Sequence, residues 1–258
     1  MMLRRKTTLF FIHGMFVTPI CWELLAHAMG DIGYRIVRPT LRYHQMEPGQ
    51  KPDPRLGTVS ILDYARDLEE QILQMSRKPV IIGHSMGGRL AQILAQRGLA
   101  RAAVFIAPAP QRGVFPVSAS AMKAFGSAMK VPFFWRKPIR LSYAEASEAV
   151  LSRIPKHERH YYYRFMTYES GRVLFEIALW PLDRKKPTLV DEKKITCPTL
   201  LLGAGKDRLI PPWVVRQIAT RYKDAEFHMF PDMTHYLIGE PGWEKVARYL
   251  FHWLRKNI

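Results

Sequence analysis

Residues 80–96 read VIIGHSMGGRLAQILAQ, a short apolar run that leads through Gly83-His84-Ser85-Met86-Gly87 into a segment of helical period. The pattern G-x-S-x-G between a buried strand and a helix is the context in which a sharp turn presents a nucleophilic serine. Glycines two positions on either side of Ser85 let strand and helix approach closely. The alternative for Ser85 is an ordinary role as the N-cap of the helix, so the decision rests on the rest of the chain.

Similar apolar runs of strand length recur along the chain and alternate with longer segments of helical period. The predicted strands are Thr8–Ile12, Arg35–Pro39, Val80–Gly83, Ala103–Ala107, Thr199–Gly203 and Glu226–Phe230. The predicted helices are Pro19–Met29, Ile61–Met75, Met86–Gln96, Pro212–Tyr222 and Trp243–Lys256. This alternation predicts an α/β fold with a parallel sheet covered by helices on both faces.

A serine hydroxyl becomes a good nucleophile only when a base takes its proton, and the base needs a carboxylate to orient it. Asp207 lies in a loop after the predicted strand Thr199–Gly203, and His235 lies in a loop after the last predicted strand. The preceding strand, Ala103–Ala107, ends in IAPAP with no carboxylate, which makes Asp207 the preferred acid. Asp232, three residues from His235, is the competing acid and is expected to shape the loop instead.

Two backbone amides are candidates for stabilising an oxyanion, the negative oxygen that forms when a carbonyl is attacked. Met86 begins the helix after Ser85, where backbone N–H groups are free to donate. Met15 follows the strand and His-Gly pair FFIHG, which offers a second amide. His13 is expected to hold that loop by hydrogen bonds and to take no part in the chemistry.

Taken together, HGM, GHSMGG, GKDRLIP and DMTHY resemble the α/β-hydrolase family, in the family's order Ser, Asp, His. The resemblance covers residues 7–110 and 195–258. It implies a mostly parallel sheet, here expected to have six strands because only a few residues precede the first one. It also implies a Ser-His-Asp triad of Ser85, His235 and Asp207, with the Met15 and Met86 amides as the oxyanion hole.

Between Pro108 and about Thr196 the alternation of strands and helices stops. We therefore predict a core of residues 1–110 and 195–258 and a mostly helical insertion over 111–194, which the resemblance implies to be a cap or lid. The insertion is rich in aromatic residues, namely Phe133, Phe134, Trp135, Tyr161, Tyr162, Tyr163, Phe165, Tyr168 and Trp180. About a third of these nine are expected to line the substrate pocket, and the others are expected to form the core of the insertion.

The resemblance implies a carboxylic ester hydrolase that acts on small to medium apolar esters through an acyl-enzyme. A thioesterase, a lactonase and a monoacylglycerol lipase or lysophospholipase remain alternatives, and so does a non-catalytic protein that binds a small apolar ligand. Ser85 excludes dehalogenases and epoxide hydrolases of this family, which need aspartate there. No dinucleotide or phosphate-loop motif and no metal-ligand spacing is present, so no cofactor and no metal are expected.

The formal net charge of +17 raises the question of anionic partners. The basic residues are scattered and form no nucleic-acid-binding motif, so no nucleic acid is expected, and weak association with anionic membrane surfaces is a secondary expectation. The two cysteines, Cys21 and Cys197, suggest neither a disulfide framework nor a zinc site. Without a convincing export signal or membrane span, we expect a cytoplasmic location; the sequence does not define the oligomeric state.

Overall fold

The fold is described over residues 6–115 and 119–258 by a computed structural model. In chain order its elements are β1 (Thr8–Ile12), α1 (Glu23–Asp31), β2 (Arg35–Val37), α2 (Ile61–Leu73), β3 (Val80–His84), α3 (Met86–Gln96), β4 (Ala102–Ile106), α4 (Ala119–Met129), β5 (Pro138–Ile139), α5 (Tyr143–Ala149), α6 (Arg159–Arg164), β6 (Glu169–Ser170), α7 (Gly171–Ala178), β7 (Thr199–Ala204), α8 (Pro212–Ala219), β8 (Glu226–Phe230) and α9 (Trp243–Asn257). Short 3₁₀ helices span Pro19–Trp22, Pro54–Thr58, Phe134–Arg136, Trp180–Leu182 and Glu192–Lys194.

Six strands form one sheet in the order β2-β1-β3-β4-β7-β8, and every neighbouring pair is parallel. The predicted fold class is confirmed, and each predicted strand agrees with the structure to within two residues. The helix predicted to begin at Pro19 starts with a 3₁₀ turn and becomes α-helical at Glu23. Because all strands run the same way, their carboxyl ends lie along one edge of the sheet.

Alternate residues of each strand face opposite sides of the sheet, and both sides are buried. Leu9 and Phe11 of β1 pack in the core that contains α1 and α9, whereas Phe10 and Ile12 pack in the core that contains α2, α3 and α8. Strands buried on both faces read as continuous apolar runs, which is why the sequence showed them clearly. Within the described residues no helix has the length and apolar character needed to cross a membrane.

The stretch between β4 and β7 contains the helices α4 to α7, as the sequence suggested. It also contains an element that was not predicted, a two-stranded antiparallel ladder that pairs Pro138 with Ser170 and Ile139 with Glu169. Two-residue strands have no recognisable sequence period, so only the folded chain reveals them.

Three buried hydrogen bonds tie this stretch to the first third of the chain. The Glu176 carboxylate of α7 accepts from the Ile61 amide at 2.8 Å and so caps the first turn of α2. The Thr167 amide donates to the Phe16 carbonyl at 2.7 Å, and the Ser170 hydroxyl donates to the Val59 carbonyl at 2.6 Å. The stretch therefore rests on the core through specific polar contacts as well as apolar packing.

A pair of glycine substitutions tests this packing. At Gly171, the first residue of α7, an added Cβ would overlap the Phe134 carbonyl oxygen, whereas at Gly126 in α4 it would meet nothing within 4 Å. We expect Gly171→Ala to lower the free energy of unfolding by about 1–3 kcal/mol through overpacking. Gly126→Ala should leave it unchanged or raise it by about 0.5–1 kcal/mol through helix propensity. Urea denaturation measures both, and equal stability of the two variants would contradict the packing described here.

Candidate active site

Ser85 lies between β3 and α3 in a backbone conformation that few non-glycine residues adopt, with φ +56° and ψ −120°. Its side chain makes no capping hydrogen bond to α3, so the simple N-cap role considered from the sequence does not apply. The strained turn is held by its backbone: the Ser85 amide donates to the Ile106 carbonyl, and the Ala109 amide donates to the Ser85 carbonyl, both at 2.9 Å. Strain held in place by surrounding structure is a feature of functional sites.

The glycines on either side of Ser85 are required by close backbone packing. A Cβ at Gly83 would overlap the carbonyl oxygen of Gly87, and a Cβ at Gly87 would overlap the carbonyl oxygen of Ile12 at the end of β1. The first turn of α3 thus lies directly on the ends of β1 and β3. This contact fixes the position of Ser85 relative to the loop after β1.

His235 and Asp207 meet although they are 28 residues apart in sequence. The loop after β7 carries Asp207 and the loop after β8 carries His235, and Nδ1 of His235 lies 2.7 Å from Oδ2 of Asp207. A carboxylate only accepts hydrogen bonds, so Nδ1 carries the hydrogen and Nε2 is left with its lone pair in the neutral ring. Both side chains are buried.

The other oxygen of Asp207 is held by the backbone. Oδ1 accepts from the amides of Leu209 and Ile210, each at 2.8 Å. The competing acid, Asp232, lies elsewhere, because its carboxylate is 71% exposed and pairs with Lys206 at 3.2 Å. The structure therefore brings Asp207, and not Asp232, to His235.

His84, a residue whose contribution the sequence did not reveal, holds the backbone of His235. Its Nε2–H donates to the His235 carbonyl at 2.7 Å, and the two rings lie 4.8 Å apart between centroids. Burial, followed by the neighbouring His235, lowers the pKa of His84 to about 3. His84 is therefore neutral at ordinary pH and acts as a fixed hydrogen-bond donor.

The loop that carries His235 is held from a second side by Glu240. One oxygen of this buried carboxylate accepts from the Thr234 amide at 2.8 Å, and the other accepts from the Thr234 hydroxyl. Arg153, from the stretch between β4 and β7, lies 3.6 Å from Glu240 and also donates to the carbonyl of Asp232. Thr234, the residue before His235, is thus held by Glu240, and the same loop is held by Arg153.

The two predicted oxyanion donors both lie close to Ser85: Met86 follows it directly, and Met15 lines the same cavity. The Met86 amide is the first of α3, and such amides have no acceptor inside the helix. Met15 lines the same cavity as Ser85 and follows Gly14, where an added Cβ would lie 3.1 Å from the Cβ of Ser85. His13 holds this loop: Nδ1–H donates to the Gly14 carbonyl at 2.9 Å, and Nε2 accepts from the Leu41 amide at 3.3 Å.

A cavity of about 440 Å³ opens above Ser85 and is lined by both Ser85 and His235. Its walls are mostly apolar. Residues 111–194 contribute nearly half of the lining, namely Ala121, Met122, Phe125, Met129, Val150, Met166, Leu174, Ile177, Ala178 and Leu179. Within the described residues, no group of three or more His, Cys, Asp or Glu side chains is placed to hold a metal ion.

The expectation that a third of the named aromatics line the pocket was wrong. None of the nine, from Phe133 to Trp180, borders the cavity. Most of them contact other aromatic rings instead: Trp135, for example, lies 5.4 Å from Phe134 and 5.9 Å from Phe175 between ring centroids. Flexible methionines and Phe125, which stacks on Phe16 at 6.2 Å, take the positions over Ser85.

The family model of the alpha/beta hydrolases matches residues 9–248. The chain belongs to the alpha/beta hydrolase family. Among curated proteins it is similar to the mouse (Mus musculus) sn-1-specific diacylglycerol lipase ABHD11, at 25% identity over 236 residues that cover 88% of this chain and 74% of that protein.

Solved structures of this family share the fold over nearly the whole chain. The methylesterase MES16 from Arabidopsis superposes with a TM-score of 0.73 at 14% identity and covers 96% of this chain and 99% of its own. A pyrethroid hydrolase from Sphingobium faniae gives a TM-score of 0.70 at 17% identity, with 95% and 96% covered. The resemblance to the α/β-hydrolase family, which rested on four short sequence motifs, is confirmed.

The buried histidines predict how stability depends on pH. His13 and His84 have a pKa of about 3 in the folded protein and an ordinary value of 6.5, so the unfolded chain binds protons first as the pH falls. Protonation of each of these two histidines in the unfolded chain should therefore lower the free energy of unfolding by about 2 kcal/mol as the pH falls from 7 to 5. His44 behaves in the opposite way: burial lowers its pKa, but the charge of Glu169 and its hydrogen bond raise that pKa above the ordinary value.

His84→Gln isolates one of these contributions, because an amide can still donate to the His235 carbonyl but takes up no proton. We expect the loss of stability between pH 6.5 and 5 to shrink by about 1 kcal/mol per pH unit in this variant. Urea denaturation at three pH values measures it, with the exposed His252→Gln as the control. The same pH slope in wild type and His84→Gln would contradict a neutral buried His84.

Proposed function

We propose that this protein is a serine hydrolase that cleaves carboxylic esters of small to medium apolar substrates through an acyl-enzyme intermediate. One observation carries the proposal: the strained Ser85 opens into the same cavity as His235, whose Nδ1 is held by the buried Asp207. Strain, a fixed imidazole and an apolar cavity at one point are what nucleophilic ester cleavage needs.

In the proposed reaction, Nε2 of His235 takes the hydroxyl proton as Ser85 Oγ attacks the ester carbonyl carbon. Asp207 keeps the imidazole in the required tautomer and stabilises the imidazolium that forms. The amides of Met15 and Met86 donate to the oxyanion. The imidazolium then protonates the leaving alcohol, and water repeats the cycle on the acyl-enzyme to release the acid and Ser85.

The cavity supports an apolar substrate. Its volume of about 440 Å³ falls in the range of small-molecule sites, about 300–1,000 Å³. No lysine, arginine, aspartate or glutamate is among its lining residues in the described part of the chain. A charged acyl or alcohol group would lose its hydration there without gaining a partner, which disfavours charged substrates.

The names of similar proteins agree with ester cleavage: the mouse relative is a diacylglycerol lipase and one solved structure is a methylesterase. The same residues would also act on thioesters or lactones, since the attack on the carbonyl is the same. In this proposal residues 111–194 form the cap, because they supply the outer wall of the cavity over Ser85.

Removing the nucleophile or the acid should abolish turnover. We expect Ser85→Ala to lower kcat about 10⁶-fold on an aryl butyrate, and Asp207→Asn to lower it about 10⁴-fold. The asparagine introduced in the second variant would place an NH₂ group against His235 and disturb the tautomer. Ser76→Ala and Asp232→Asn serve as exposed controls and should retain wild-type rates.

A fluorophosphonate probe separates this proposal from a non-catalytic protein of the same fold. It should label Ser85 in the folded wild type and in the Ser76→Ala control, and it should leave Ser85→Ala unlabelled. Folded wild-type protein that resists the probe, or full turnover by Ser85→Ala, would refute the serine mechanism.

Filling the cavity should select against long acyl chains. Ala178 borders the cavity, whereas Leu182 in the same stretch is 68% exposed and lies outside it. We expect Ala178→Phe to lower kcat/KM for an aryl octanoate at least 10-fold while changing the acetate less than 3-fold, because each excluded methylene changes binding by about 1–3 kcal/mol. Leu182→Phe should change neither. A panel of aryl esters, thioesters and lactones measures chain length and substrate class together.

A further inference from the structure

A second large concavity, of about 1080 Å³, lies at the amino-terminal edge of the sheet, opposite Ser85. Five of its lining residues are basic and none is acidic: Lys6, Arg35, Arg77, Lys78 and Arg101. We call this set the basic cleft. It borders none of the residues assigned above to ester cleavage.

The topology of the sheet puts these charges in a row. In the order β2-β1-β3-β4, Arg35 is the first residue of β2, and Lys6, Lys78 and Arg101 come just before β1, β3 and β4. The strands are paired close to their starts, with Thr8 opposite Arg35 and Val80 opposite Ala102. At a strand spacing of about 4.8 Å, four neighbouring strands spread their charges over roughly 14 Å.

The five cations have no acidic side chain to neutralise them. Among the described residues, none of them lies within ion-pair distance of an aspartate or glutamate, whereas other surface arginines are paired, such as Arg42 with Asp67 and Arg97 with Glu69. Arg101 donates to the hydroxyl of Thr7 at 3.3 Å and to the terminal oxygen of Ile258, so among the described residues the cations without an acidic partner are Lys6, Arg35, Arg77 and Lys78. Like charges held together repel, so an anion would stabilise this arrangement.

The rest of the cleft provides neutral donors and a partly apolar wall. Thr7, Thr8, Ser76 and Gln74 line it, together with apolar surface from Tyr34, Val37 and Met75. Guanidinium groups bind phosphate through paired hydrogen bonds, and hydroxyl groups add further donors. A single phosphate is too small to reach charges spread over roughly 14 Å, so the row fits two or more linked phosphate groups.

We propose that the basic cleft is a binding site for phosphate groups in close array, separate from the ester cavity and independent of its chemistry. Such groups occur on a soluble polyphosphorylated molecule or on the headgroups of an anionic membrane. The position of the cleft favours the soluble ligand, because a membrane bound at this edge would lie about one strand length, roughly 17 Å, from the end of the sheet where Ser85 opens. The lipids of such a membrane would not reach the apolar cavity.

Tripolyphosphate and vesicles distinguish the two sources. Calorimetric titration of the full chain with sodium tripolyphosphate at low ionic strength tests the soluble ligand. Flotation with phosphatidylserine vesicles, compared with phosphatidylcholine vesicles, tests the membrane. The test variant is Arg35→Gln with Lys78→Gln, which are exposed and make no ion pair with an acidic side chain among the described residues.

The matched control is Arg184→Gln with Lys185→Gln, at two exposed positions of the stretch between β4 and β7. These substitutions remove the same number of positive charges as the test variant. We expect the test variant to weaken binding of tripolyphosphate at least 10-fold and the control to weaken it less than 2-fold. Loss of vesicle binding in the test variant alone would support the cleft and assign its ligand to headgroups. No binding in either assay, or equal weakening in test and control variants, would overturn the proposal; an unchanged midpoint of urea denaturation shows that the test variant is folded.

Discussion

The contact of the first turn of α3 with the ends of β1 and β3 is the constraint on which the rest of the site depends. No side chain separates these backbones, because Gly83 and Gly87 leave room only for carbonyl groups. The turn between them must then adopt the unusual dihedral angles of Ser85, and two hydrogen bonds to the end of β4 and the residues beyond it hold it there. A position held by backbone packing varies less than one held by flexible side chains, which suits the role of nucleophile proposed for Ser85.

A buried cluster extends this constraint from the sheet to the stretch over the cavity. His44 and Glu169 are fully buried and 3.2 Å apart, and the hydroxyl of Tyr64 donates to the same carboxylate at 2.7 Å. The His44 ring lies 5.2 Å from His13, which holds the loop of Met15. Leaving one partner of such a buried hydrogen bond unpaired costs about 1–3 kcal/mol. The loop after β1 and the wall of the cavity are therefore expected to keep their relative positions.

Much of this arrangement was readable from the sequence, for physical reasons that differ from residue to residue. Buried parallel strands must be apolar on both faces, so their runs stand out, and the loops after β3, β7 and β8 point to one edge once the strands are parallel. The sequence favoured Asp207 over Asp232 as the acid but left Asp232 as a competitor, because both lie in loops that follow late strands. Burial separated them, since only Asp207 is enclosed with His235 and held by two amides.

Other features depend on contacts that no local pattern encodes. His44 and Glu169 are 125 residues apart, and neither lies in a motif. Which face of a short helix points inward depends on its neighbours, so the aromatics of residues 111–194 could not be assigned to core or cavity from their period alone.

The parallel sheet also makes its two edges chemically different. At the carboxyl edge the described cavity wall contains no Lys, Arg, Asp or Glu, and excluding water there strengthens every hydrogen bond to a developing charge. At the amino edge five exposed cations share one cleft. The edges are about 17 Å apart by strand length, and the strands between them are buried on both faces rather than surrounded by salt solution. An influence of one edge on the other would therefore have to act through the electric field across the core or through movement of the strands and helices between them.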